Sequence, residues 1–166
     1  MGADSLPTTL HPKRVEDAEA IRKFLAVEFK QPLHPYMLLD PGPGLTILDI
    51  NEAYEAATLV RRDKVVGQRL FDVFPDNPSD ESADGVSKLY NSFTFVARTG
   101  RPHAMEAQRY DVRGPDGEFV ERYWQPINTP IHYEQGRFVG LLHQVEDVTD
   151  LVKSRSGPTK HRSNNK

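Results

Sequence analysis

Apolar residues recur at intervals of three or four in two parts of the chain, which predicts two amphipathic helices. The first runs from Val15 to Phe29 and has acidic residues in its opening turns. The second runs from Ala83 to Arg98, and Gly100 with Pro102 behind it fits a C-terminal end. Each apolar stripe has to be buried. For the first helix, the covering surface is either the body of the domain or a second copy.

Runs of apolar and β-branched residues before and after the second helix predict two groups of strands. Two short strands are expected at Tyr36–Asp40 and Leu45–Ile50. Three long strands are expected at 103–113, 118–131 and 137–148, with turn-forming residues between them. The long strands therefore form an antiparallel meander.

The segment between the two groups of strands predicts short helices and one loop. Asn51 is expected to cap a helix of sequence EAYEAAT by accepting from a free amide. Residues 67–75 are expected to hold a helical turn that buries Leu70, Phe71 and Phe74, and a polar loop follows. Strand groups on both sides of a helical block indicate the α+β class. One antiparallel sheet is covered on one face by helices, and a pocket is expected between them.

The composition of the chain argues against several classes of function. A net charge of -3 and a pI near 6.1 argue against a broad basic face for nucleic acid. No apolar run reaches the length of a membrane helix and no secretory signal opens the chain, so we expect a cytoplasmic protein that does not contact a membrane. The absence of cysteine excludes a flavin or chromophore bonded through a thiol. The six histidines form no paired metal motif, and no metal site is expected.

Several motifs in their order resemble a bacterial PAS domain, of the type found in front of histidine kinases and transcriptional regulators. They are NEAYEAAT, VVGQRLFDVFP, the long helix, YDVRGPDGEF, RYWQPINTPI and LLHQVEDVTDLV. The resemblance implies a five-stranded antiparallel sheet with its first two strands beside the last, helices packed on one face and an N-terminal cap helix. We therefore divide the chain into an N-terminal extension at 1–32, a PAS domain at 33–152 and a basic, disordered tail at 153–166.

The resemblance also bears on signal output and on cofactors. It implies that Asp147 and Thr149, at the end of the last strand, couple the sheet to a following helix or effector. Physically, a short acceptor and a hydroxyl can hold the exiting chain, although a plain strand terminus is the alternative. Haem-binding PAS relatives place their iron-ligating histidine on the long helix, which has none here, so haem is not expected. The cofactor is otherwise left open.

Side-chain alternation selects the candidate pocket residues. On the last strand Leu141 and His143 share an apolar face with Val139 and Val145, which is expected to face inward. His143 is then either a pocket group or a core histidine bonded to a neighbour. Aligning the middle strand with PAS relatives turns Arg122, Trp124 and Asn128 inward, a choice that periodicity alone leaves open, as it does for Tyr110. The candidate ligand-binding residues are Tyr54, Phe71, Phe93, Arg122, Trp124, Asn128, Leu141 and His143, with Leu89 also on the helical side.

The role of Arg122 has two interpretations. Its guanidinium could bind a ligand carboxylate in a bidentate pair. Alternatively, it pairs with a carboxylate of the sheet, for which Glu121, Glu106 and Asp111 are the candidates.

Two functions compete at this point. The first is a stand-alone sensory PAS domain that binds a small ligand, a partner protein or both in signal transduction. With no effector domain after residue 152, its output would go in trans to a histidine kinase or transcriptional regulator, as in two-component systems. A homodimer is expected through the N-terminal helix and the outer sheet face, where Tyr123, Ile127, Phe138 and Leu142 lie. No catalytic residue is expected in this case.

The alternative is a small α+β enzyme of the isomerase or dehydratase type with a cone-shaped pocket. His143 would then work with Asp111 or Glu106 as an acid–base pair. A buried carboxylate bonded to the imidazole would favour the enzyme.

Overall fold

The computed structural model describes residues 34–133 and 137–155. The extension at 1–32 with its predicted helix, the turn at 134–136 and most of the tail lie outside the described residues. The helices are α1 (Glu52–Thr58), α2 (Arg62–Val65), α3 (Leu70–Val73), α4 (Gly85–Thr99) and α5 (Thr149–Arg155). The strands are β1 (Tyr36–Leu39), β2 (Ile47–Ile50), β3 (His103–Ala104), β4 (Gln108–Arg109), β5 (Val112–Arg113), β6 (Phe119–Val120), β7 (Tyr123–Tyr133) and β8 (Arg137–Asp147).

The main sheet is antiparallel and has the order β2-β1-β8-β7-β3, with β4 also paired to β7. Strands β7 and β8 form its centre and pair from Trp124 opposite Asp147 to Tyr133 opposite Arg137. The α+β class is confirmed, as is the expected sheet with its first two strands beside the last.

The predicted long strand at 103–113 is wrong as a single element. It consists of β3, β4 and β5, and β5 pairs with β6 in a separate two-stranded sheet. Ala104 pairs with Ile127 but Gln108 pairs with Trp124, so the edge gains one residue between them. Met105 still donates its N–H to the carbonyl of Pro126 (2.9 Å), a residue that has no N–H to return, so the extra residue lies between Met105 and Gln108. The run at 118–131 likewise divides, into β6 and β7.

Local signals set the helix ends as predicted. The Asn51 side chain accepts from the Tyr54 N–H at 3.0 Å and caps α1. Helix α4 ends at Gly100, which has a left-handed φ of 67° and donates its N–H to the Val96 carbonyl. Helix α5 continues through Arg155, so the first three residues of the segment predicted as a disordered tail, 153–155, are helical.

Helices α1, α3 and α4 bury their apolar faces against one face of the sheet, and the core lies between these layers. The opposite face carries a smaller cluster of Leu38 and Leu142. Leu142 is 3% exposed, so the expectation that it leaves open apolar area on the outer face is wrong, whereas Ile127 on the same face is 44% exposed. Among the described residues, no helix has the length and apolarity needed to cross a membrane.

Candidate functional site

A cavity of about 40 Å³ lies between the sheet and the helices α1, α3 and α4. A buried water needs roughly 10–15 Å³ of such space, so the cavity is large enough for a few waters or a very small molecule. Most of the wall is apolar. The lining residues are Met37, Tyr54, Thr58, Leu70, Phe74, Leu89, Gln108, Tyr110, Val112, Trp124, Pro126, His143 and Val145.

His143 faces the cavity from the centre of β8 and is 3% exposed. Its Nδ1 lies 2.6 Å from Asn128 Oδ1 on the neighbouring strand β7. The rings of Tyr54 and Phe93 contact it edge-on, with centroid distances of 6.1 and 5.5 Å. Burial lowers the pKa of His143 from 6.5 to about 3, so the imidazole is neutral at physiological pH.

The hydrogen bonds of Asn128 fix the tautomer of this imidazole. Asn128 Nδ2 donates to Ser92 Oγ (2.8 Å) and points at Met105 Sδ (3.5 Å), which can only accept. The amide oxygen therefore faces His143. Because a carboxamide oxygen can only accept, His143 Nδ1 carries the single ring proton and Nε2 keeps a lone pair.

The chain of hydrogen bonds continues to the edge of the sheet. Ser92 Oγ accepts from Asn128 and lies 2.7 Å from His103 Nδ1, a hydrogen bond whose direction depends on the tautomer of His103. His103 is half-buried and its ring lies beside that of Phe95, a 44%-exposed residue of α4. Four polar side chains thus link the cavity to the edge strand β3, and the first two hydrogen bonds are donated outward from His143.

Gln108 is the polar residue of the wall that the sequence analysis missed. It is 8% exposed, and its Oε1 is the one fully buried side-chain oxygen or nitrogen without a hydrogen-bond partner among the described residues. The amide nitrogen has only the distant Met105 Sδ (3.9 Å). Alternation with Tyr110 and Val112 is the sequence signal that could have found it, because all three side chains line the cavity.

The aromatic part of the wall is held by hydrogen bonds to the main chain. Trp124 Nε1 donates to the Tyr110 carbonyl at 2.8 Å, and the Tyr110 hydroxyl donates to the Phe74 carbonyl. Burial raises the pKa of both Tyr54 and Tyr110, so both phenols stay protonated. Gly85 at the start of α4 makes room for this wall, because a Cβ there would lie 2.3 Å from Tyr110 Cδ2.

The structure brings only part of the predicted ligand-binding set to the cavity. Tyr54, Trp124 and His143 line it, as does Leu89. Behind His143, Asn128 and Phe93 are fully buried and support the ring. Leu141 lies with Phe93 at a separate, larger pocket beside the turn between β1 and β2, and Phe71 is half-buried at the margin of the core.

Arg122 does not face the cavity, which corrects the expectation that it binds a ligand there. It immediately precedes β7 and lies two residues beyond the last pair of the β7–β8 ladder, Trp124 opposite Asp147. Its Nε lies 3.7 Å from Asp147 Oδ2, and its Nη1 donates to the Glu121 carbonyl at 3.0 Å. The sheet pairing is therefore the better interpretation, with Asp147 as the partner.

Asp147 and Thr149 form a compact junction between β8 and α5. Asp147 Oδ1 accepts from both the N–H (2.9 Å) and the hydroxyl (2.5 Å) of Thr149. The Thr149 oxygen in turn accepts from the Tyr123 N–H on β7 at 3.0 Å. The first turn of α5 is thus bonded to both central strands of the sheet.

The acid–base pair of the enzyme alternative is not formed. Asp111 binds Arg109 Nε at 3.0 Å and Nη2 at 2.9 Å, and accepts from Asn77. Desolvation raises the pKa of Asp111, but these hydrogen bonds outweigh it and leave the pKa below its usual value. Glu106 is exposed, and His143 is bonded to an amide rather than to a carboxylate. No cluster of three or more metal-binding side chains occurs within 34–133 and 137–155.

One main antiparallel sheet, helices on one of its faces and a small cavity between them define an α+β domain with an interior site. A family model described as the PAS fold matches residues 37–153. The chain therefore belongs to the PAS family, a family of sensory and signalling domains.

Solved structures agree with this assignment. The PAS domain of a protein from Colwellia psychrerythraea is 18% identical, with a TM-score of 0.55 over 78% of this chain and 98% of that chain. A LOV protein from Rhodobacter sphaeroides is 12% identical, with a TM-score of 0.57 over 78% of this chain and 68% of that chain. The PAS domain of the fruit-fly ELK potassium channel is 12% identical, with a TM-score of 0.56 over 77% of this chain and 97% of that chain. A comparison with curated proteins gave no match.

Proposed function

We propose that this PAS domain senses a small molecule bound in the cavity and passes its occupancy to a partner protein through β8 and α5. The observation that carries the proposal is Gln108 Oε1, a buried acceptor without a partner at the wall of an otherwise apolar cavity. Buried polar groups are nearly always hydrogen-bonded, so an unpaired one beside a cavity favours a missing partner there.

The path of the signal follows from the position of β8. The strand contributes His143 and Val145 to the cavity wall and ends at Asp147, which binds the first residue of α5. A ligand that moves β8 therefore also moves the junction with Thr149. Occupancy would shift a population between two arrangements of that junction, in proportion to the ligand's preference for one of them.

Native mass spectrometry of the protein purified from its own host tests ligand binding. We expect a retained small-molecule mass that is lost from the variant Leu89→Phe, because the larger ring fills the cavity. The variant Tyr90→Phe is the matched control, since Tyr90 is exposed on the same helix. A mass retained equally by all three proteins would place the molecule elsewhere and contradict the proposal.

We further propose a homodimer with output in trans to a histidine kinase or transcriptional regulator. The exposed Ile127 on the outer sheet face supports a contact there. Analytical ultracentrifugation of the whole chain against a chain that begins at Leu33 tests the N-terminal segment. Equal dimerisation of the two would exclude a role for that segment.

A further inference from the structure

We propose that the ligand is a small uncharged molecule with an apolar body that donates hydrogen bonds from N–H or O–H groups to Gln108 Oε1 and His143 Nε2. The inference rests on the proposed function and specifies the chemistry of the ligand. The hydrogen-bonding atoms of the cavity wall divide into those that already have a partner in the protein and those that have none.

The two open positions are acceptors. Gln108 is more than nine-tenths buried, and its Oε1 has no partner among the described residues. Asn128 fixes the proton of His143 on Nδ1, so Nε2 offers a lone pair, and this atom also has no partner in the described part of the chain. Both residues line the same cavity.

Most donors of the wall, in contrast, are already bonded within the protein. Trp124 Nε1 donates to the Tyr110 carbonyl, Tyr110 to the Phe74 carbonyl and Thr58 Oγ1 to the Tyr54 carbonyl. Gln108 Nε2 is directed at Met105 Sδ (3.9 Å), and the Tyr54 hydroxyl can take either role. A ligand that only accepts hydrogen bonds would therefore leave Gln108 Oε1 unpaired.

The charge of the lining residues and the size of the cavity narrow the class of ligand further. No Asp, Glu, Lys or Arg occurs among the described residues of the lining, and a buried charge without a partner is unfavourable. The cavity of about 40 Å³ admits a few waters without rearrangement, so a ligand as large as a five-membered ring needs a small movement of the wall. An anionic ligand has no counter-charge at this site.

Pyrrole and furan are a matched pair of probes, because the rings have the same shape and only pyrrole carries an N–H. Titration into the ¹⁵N-labelled whole protein, followed by NMR, gives both affinities and the location. We expect pyrrole to bind about three- to tenfold more tightly than furan, the range of one net neutral hydrogen bond. Pyrrole has a single N–H, so it donates either to His143 Nε2, which should shift that resonance toward the hydrogen-bonded value, or to Gln108 Oε1, which should shift the Gln108 side-chain amide resonance.

The variant Gln108→Met removes the acceptor while keeping the length of the side chain, and is expected to lower the preference for pyrrole at least threefold where the N–H pairs with Gln108 Oε1. Gln144→Met is the control, because Gln144 lies next to His143 in β8 and so points to the opposite face of the sheet. If Gln108→Met does not fold, the resonance shifts of the two acceptors in the unaltered protein still test whether pyrrole donates a hydrogen bond to them.

Two results would overturn the ligand class alone. They are furan binding in the cavity as tightly as pyrrole, or an anion such as propionate binding there more tightly than either ring. In both cases the cavity would still be a ligand site. If neither ring perturbs cavity resonances and no host molecule is retained, the ligand class and the proposed function fail together.

Discussion

The neutral state of His143 makes the stability of this domain depend on pH. Replacing the residue by asparagine isolates the contribution of His143 to that pH dependence. Asparagine keeps a donor close to the position of Nδ1 but cannot titrate. The smaller side chain leaves a void, so His143→Asn should lower the free energy of unfolding by about 1–3 kcal/mol at pH 7.5. Only the wild-type protein should lose additional stability as the pH falls.

The magnitude follows from the two pKa values. In the unfolded chain the imidazole has its ordinary pKa of 6.5, and in the folded protein burial lowers this to about 3. Between these values the unfolded state binds the proton more readily, so stability falls as the pH drops below about 6.5 and continues to fall to about pH 3. From pH 7.5 to pH 5.0 this amounts to at most about 2 kcal/mol.

Urea unfolding of both proteins at pH 7.5 and pH 5.0 measures the difference. Asp111, whose pKa is lowered, loses its contribution only at more acidic pH, so this window isolates the imidazole. The variant His34→Asn is the control, since His34 is exposed, and it should keep the wild-type dependence. An unchanged pH dependence in His143→Asn would refute a neutral buried imidazole, and the tautomer inferred from it.

Two further substitutions test the packing of the cavity wall and the junction between β8 and α5. Gly85→Ala forces a Cβ to within 2.3 Å of Tyr110 and should cost about 1–3 kcal/mol in urea unfolding; unaltered stability together with unaltered Tyr110 resonances would contradict this packing. Thr149→Val removes the hydroxyl that donates to Asp147 and accepts from the Tyr123 N–H. It should cost about 1–3 kcal/mol and speed amide exchange in α5, whereas wild-type exchange would show that the junction does not hold the helix.

Elements with local determinants could be predicted from the sequence. The cap at Asn51 and the stop at Gly100 each depend on residues within one helical turn, so neither needs knowledge of the sheet. The inward facing of His143 also follows from alternation along a single strand. These features were enough to define the class and the side of the sheet on which the cavity lies.

Features that depend on a neighbouring strand could not be predicted in the same way. The break between β3 and β4 is a shift of register against β7, whose residues come about twenty positions later in the chain. Arg122 has the same parity as Trp124, but the β7–β8 ladder ends before it and its partner is Asp147. Gln108 became a candidate only once its unpaired oxygen and the cavity beside it were both visible.

The row of hydrogen bonds from His143 through Asn128 and Ser92 to His103 has a consequence for what the outside of the domain can register. Asn128 accepts from His143 and donates to Ser92, so turning its amide alone would place two hydrogens between its nitrogen and His143 Nδ1. A ligand that required a proton on Nε2 would make Nδ1 an acceptor, turn the amide and make the Ser92 hydroxyl donate to Asn128, so that Ser92 would only accept from His103 Nδ1. The tautomer of His103, on the edge strand β3, would then depend on whether the ligand donates a hydrogen bond to His143 or accepts one from it.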